Sequence, residues 1–92
     1  MTDTLDLLLR DAVASLAAAG VPDPRVDAEL LAGYVMSLSR GAVQAAAIRG
    51  DAVSGEDAAA LAALVARRAA REPLQHLTGR APFRHLELEV GP

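Results

Sequence analysis

A 92-residue chain that is 52% apolar, with one Tyr, one Phe and no Trp, must build its core from Leu, Val and Ala, side chains that suit closely packed helices. The lack of cysteine excludes a disulfide framework and a thiolate metal site and fits a reducing, cytoplasmic setting. No apolar run is long enough for a membrane span, and MTDTLDLLLRD is acidic ahead of its leucines, unlike a signal peptide.

Thr2, Asp3 and Thr4 offer capping oxygens to a first helix whose apolar positions, Leu5, Leu8, Leu9, Ala12, Val13 and Leu16, form one stripe. Gly20 is placed to end it. Asp23 and Pro24 then open a second helix as N-cap and first residue, since proline's missing amide costs nothing at that position. The helix is expected to run to about Leu38, and Val26, Leu30, Leu31, Tyr34, Val35 and Leu38 cover more than a narrow stripe. That breadth predicts a central helix with neighbours on two sides.

Ser39 caps a shorter third helix through Val43 to Ile48, closed by Gly50. Ser54 starts a fourth with acids in its first turn and an inner face of Leu61, Leu64, Val65 and Ala69. The helical pattern breaks at Glu72-Pro73, because proline lacks the amide a helix interior needs and biases the residue before it away from the α region. A short fifth helix is expected over Pro73 to Thr78. From Phe83 the pattern alternates, with Leu86, Leu88 and Val90 on one side and Glu87 and Glu89 on the other, which is strand periodicity. The expected fold is all-α, a small bundle of four to five helices over residues 1–79, followed by the start of a β-hairpin linker over residues 80–92.

The net charge of −3 is unevenly spread. Residues 1–46 carry Arg10, Arg25 and Arg40 against six acids, whereas residues 60–86 carry Arg67, Arg68, Arg71, Arg80 and Arg84 against Glu72 alone. Cations in the last turns of a helix are favoured by its dipole regardless of function. A functional reading gives this group an acidic protein or a nucleic-acid backbone to face. The acidic total charge and the lack of interleaved aromatics argue against nucleic acid.

Catalytic signals are sparse. The glycines are scattered and none sits in a phosphate-cradling loop between a strand and a helix. His76 and His85 lack the carboxylate pattern of a metal site and read as structural or surface histidines. Asp27 and Glu29, two apart on a helix, point to different faces and cannot work as a general acid/base couple. No serine has a nucleophile-elbow setting.

The segments DAELLAGYVMSLSR (Asp27 to Arg40), REPLQHLTG (Arg71 to Gly79) and FRHLELEVGP (Phe83 to Pro92) resemble the N-terminal part of the release-factor glutamine methyltransferases, the HemK/PrmC family. The resemblance covers nearly the whole chain, and EPLQHLTG leading into a strand is its most specific part. It implies a helical N-terminal domain joined by a β-hairpin to a Rossmann-like domain. That second domain binds S-adenosylmethionine and methylates the side-chain amide of the glutamine in the Gly-Gly-Gln motif of peptide chain release factors. The family's Gly-rich cofactor loop and its Asn-Pro-Pro-Tyr motif match no stretch of this chain, so the resemblance implies no cofactor site and no catalysis here. It implies instead a role in holding the release factor, with Arg67, Arg68, Arg71 and Arg80 expected to contribute to docking or to packing on the catalytic domain. The rival reading is a self-standing helical interaction module; a small nucleic-acid-binding domain is the third.

Because the apolar side of Leu86, Leu88 and Val90 has no sheet within the chain to cover it, fraying is expected after about Gly79. Hydrogen exchange checks this. Fast exchange at those three amides is expected, and slow exchange would mean that they have found partners.

Overall fold

A computed structural model describes residues 3–78. The expected linker over residues 80–92, its strand and the fraying predicted for it lie outside the described residues. Five helices follow one another: α1 (Leu5–Ala18), α2 (Pro24–Met36), α3 (Arg40–Arg49), α4 (Gly55–Ala69) and α5 (Leu74–Thr78). The all-α expectation holds, with one addition. Asp3–Thr4 (β1) pairs antiparallel with Ala52–Val53 (β2), Asp3 opposite Val53 and Thr4 opposite Ala52.

That addition changes how α1 begins. Thr4 stands at the N-cap position with extended backbone, yet its side chain caps no amide of the helix. The Leu5 N–H instead donates to the Asp51 carbonyl at 2.9 Å, so a backbone crossing from the α3–α4 connection satisfies an amide at the start of the helix. Asp23 likewise sits at the N-cap of α2 without a side-chain cap, and its carbonyl accepts from Asp27. Ser39 and Ser54 do cap as expected, with Oγ accepting from the Ala42 and Asp57 amides at 3.1 Å.

The first four helices end alike. In each, a residue two or three positions past the helix donates back to a carbonyl five residues earlier: Val21 to Leu16, Leu38 to Gly33, Asp51 to Ala46 and Glu72 to Arg67. This closure needs one left-handed residue. Gly20 and Gly50 supply it in α1 and α3, but Ser37 (φ 58°) and Arg71 (φ 78°) supply it in α2 and α4, where a side chain makes the conformation costly. The left-handed Ser37 ends α2 at Met36, two residues short of the expected Leu38.

The core gathers Leu5, Leu9 and Leu16 of α1, Leu31 of α2, Val43 of α3, Leu61 and Val65 of α4 and Leu77 of α5. Helix α2 is central, in contact with α1, α3, α4 and α5. Its buried face differs from the expected one: Tyr34 and Leu38 are exposed, while Ala28, Ala32, Gly33 and the two acids Asp27 and Glu29 are buried. Small residues let neighbouring helices approach closely. On α3, Ile48 projects into solvent. Among the described residues no helix is long and apolar enough to cross a membrane.

Gly33 is where close approach is most demanding. A Cβ there would lie 2.5 Å from the Leu38 carbonyl oxygen and 3.5 Å from Val43 Cγ2, so the chain leaving α2 folds directly over this position. Replacing glycine by alanine inside an exposed helix normally stabilises by about 1 kcal/mol. Gly33→Ala is expected to do the reverse, lowering unfolding free energy by about 1–3 kcal/mol through the overlap with backbone, as read by urea denaturation. A stabilised variant would show that the α2–α3 turn yields freely.

Candidate functional site

The two buried acids of α2 face opposite ways, and each takes arginine partners. Glu29, only 2% exposed, receives Arg25 Nε on Oε2 at 2.7 Å, and Arg40 Nε and Gln44 Nε2 on Oε1 at 2.8 and 3.0 Å. Arg25 lies one turn earlier on α2, while Arg40 and Gln44 lie one turn apart on α3, so a single carboxylate ties the two helices. Burial pushes the Glu29 carboxyl up, but hydrogen bonds from Arg40, Gln44 and Arg25 and the charge of Arg25 outweigh it and hold the group below its ordinary value. Asp27, on the other side, accepts from Arg68 Nε of α4 at 2.8 Å. The two carboxylates therefore serve different interfaces.

The arginine group expected to bind a partner is placed differently for each member. Arg68, with its side chain 20% exposed, spends Nε on Asp27 and Nη1 on the Glu72 carbonyl at 3.0 Å. Arg67 pairs with the Glu72 carboxylate through Nε at 3.0 Å and Nη2 at 2.8 Å. Arg71, in its left-handed conformation, donates from Nη2 to the Ala19 carbonyl at 3.0 Å and so caps the C-terminal end of α1 with a cation. All three are gathered at the α4–α5 turn, and all three have acceptors inside the fold. Arg80 lies outside the described residues.

A second charged surface, with the carboxylates of Asp6 and Glu29 beside the guanidinium groups of Arg10 and Arg25, lies between α1, α2 and α3. A groove of about 540 Å³ opens there, lined among others by Asp6, Arg10, Val13, Arg25, Gln44 and Ile48. Arg10 makes no hydrogen bond among the described residues. Asp6, one turn before Arg10 on α1, is held below its ordinary value by the Thr4 hydroxyl; desolvation opposes this, and backbone amides and the charge of Arg10 add to the lowering. Ile48 is 88% exposed, an unusual position for a large aliphatic side chain. The Arg25–Glu29 spacing of four residues was the one sequence signal of this hub.

Among the described residues no group of three His, Cys, Asp or Glu side chains could hold a metal, and His76 stands exposed on α5. The groove sets Arg10 and Arg25, with the carboxylates of Asp6 and Glu29, beside the apolar side chains of Val13 and Ile48.

Residues 8–79 match the family described as PrmC N-terminal domain. The chain is similar to proteins named release factor glutamine methyltransferase in several bacteria. It is 48% identical to that of Streptomyces coelicolor, over 96% of this chain and 30% of the relative. It is 52% identical to that of Mycolicibacterium smegmatis, over 88% of this chain and 27% of the relative. With the Corynebacterium glutamicum protein the identity is 47%, over 97% of this chain and 30% of the relative. The chain thus spans about 30% of the length of these relatives. No solved structure gives a significant match.

Glu29→Gln keeps the shape of the hub and removes its charge, weakening three bonds at a buried site. A loss of about 2 kcal/mol in unfolding free energy is expected. Since the folded-state pKa of Glu29 is lowered, its stabilising contribution is complete above the ordinary glutamate value and is lost as pH falls through the lowered one. Thermal unfolding followed from neutral to acid pH should therefore show a steep acid limb for the parent chain and a shallower one for the variant. Identical limbs would remove Glu29 from the account.

Proposed function

Because the chain belongs to the PrmC N-terminal domain family, we propose that it is the helical N-terminal domain of a release factor glutamine methyltransferase and that it contributes docking of the release factor rather than chemistry. The observation that carries this reading is the 48% identity to the Streptomyces coelicolor protein across 96% of this chain. The chain aligns with only 30% of that relative, which leaves most of its length for a methyl-transferring domain.

In this reading S-adenosylmethionine, bound outside these residues, supplies the methyl group, and the side-chain nitrogen of a glutamine in the release factor receives it. Translation termination places the work in the cytoplasm. Presenting one glutamine of a large protein to a methyl donor is an orientation problem, and a contact distant from the reacting atoms reduces the freedom that must be lost at the reaction itself. A rigid helical head suits that task. Of the two roles expected of Arg67, Arg68, Arg71 and Arg80, the internal engagement of the first three favours packing toward the catalytic domain over gripping the release factor: groups already neutralised at close range have less to offer a new partner.

Competition tests the reading. The 92-residue chain, added in excess to the Streptomyces coelicolor enzyme at subsaturating release factor, should slow glutamine methylation, and raising the release factor concentration should restore the rate. A rate that stays constant at chain concentrations far above that of the enzyme would sink the docking role.

A further inference from the structure

The arginines of this chain divide by what the fold leaves them to do. At the α4–α5 turn, Arg67, Arg68 and Arg71 donate to a carboxylate or to backbone carbonyls of their own chain. Around the α1–α2–α3 groove the donors remain open. Arg25 and Arg40 meet Glu29 through Nε alone, so the Nη groups of both hydrogen-bond nothing among the described residues. Their side chains are 55% and 46% exposed; Arg25 lines the groove with Arg10, which makes no hydrogen bond among the described residues, and Arg40 stands beside it on the Glu29 carboxylate they share. Glu29 acts on this surface as a positioning residue. Anchored by Nε, two flexible side chains keep their outer forks at a fixed place, and the entropy of ordering them is already spent before any partner arrives.

A guanidinium fork matches the two oxygens of a carboxylate, and its planar donors are shared less well by a single point acceptor. Beside these forks stands an apolar patch of Val13 and Ile48, the latter 88% exposed. We infer that this groove is the contact surface for an acidic segment of the docked protein, whose carboxylates meet Arg10 and Arg25 in the groove and Arg40 beside Glu29, while a neighbouring apolar side chain covers Ile48.

The inference rests on the release-factor docking proposed above and names the face and the chemistry of that contact. A nucleic-acid strand fits the groove less well. The residues lining it include no aromatic on which a base could stack, and a chain with a net charge of −3 opposes the dense, continuous charge of a phosphate backbone more than a few carboxylates.

The test uses the 92-residue chain and purified release factor in a calorimetric titration. Arg10 and Ile48 are exposed, so the double variant Arg10→Glu, Ile48→Ser reverses a charge and removes an apolar contact without touching the core. Gln75→Glu, exposed on α5, adds negative charge elsewhere as the control. An unchanged circular dichroism melt for each variant establishes that folding is intact. The groove variant should weaken binding at least about tenfold, and the control should stay within about twofold. Undiminished binding by the groove variant overturns the groove and leaves the docking reading standing. No binding by the parent chain overturns both. Displacement of the release factor by a single-stranded oligonucleotide at equal charge concentration overturns the assignment to carboxylates.

Discussion

Two carboxylates on one helix hold this small domain in alignment. Asp27 and Glu29 are buried on opposite sides of α2, and each reaches a different neighbour: Asp27 takes Arg68 from α4, Glu29 takes Arg40 and Gln44 from α3. Apolar packing between alanine-rich helices is tolerant of small rotations and slips, because small side chains offer few distinctive ridges. A buried carboxylate is not tolerant. It carries a desolvation cost that is offset only when its donors arrive at hydrogen-bond distance, so misaligned arrangements are penalised. With Ala28, Ala32 and Gly33 allowing close approach and the acids setting rotation, α2 defines where its neighbours stand.

The same arginine chemistry serves two purposes at two places. At the α4–α5 turn the cations are absorbed by structure: Arg71 caps the end of α1, Arg67 and Arg68 close the turn around Glu72, and a dense local charge becomes a fastening. Beside Glu29 the cations are held by one nitrogen each and keep their outer donors. Net charge alone ranks the first region above the second. Donor accounting reverses that order, because a guanidinium already satisfied at short range gains little from a further partner.

The chain belongs to the PrmC N-terminal domain family and spans about 30% of its relatives' length. The fold supplies rigidity by short connections, Schellman-type helix ends and a strand pair that ties the start of α1 to the α3–α4 connection. Two of those helix ends place Ser37 and Arg71 in a conformation that glycine would adopt at lower cost. At Arg71 the side chain bonds back to Ala19, which offsets part of the strain. No comparable contact accompanies Ser37 among the described residues.

Local signals in the sequence were enough to place the helices. Pro24, Gly50, Ser39, Ser54 and Pro73 act on their own few residues through backbone geometry and nearby amides, so their meaning does not depend on the rest of the chain. The family resemblance was likewise readable from contiguous segments. Periodicity was a weaker guide to burial, expecting Tyr34 and Leu38 inside where the structure has Ala28, Ala32 and Gly33 buried, since it cannot count how many neighbours a helix will have. The fate of the charges was decided only in three dimensions. Arg68 finds Asp27 across 41 residues and Arg71 finds Ala19 across 52, whereas Arg10 meets no acceptor among the described residues. Hydrogen bonds act over a few ångströms of space, and a linear sequence does not record that distance between remote side chains.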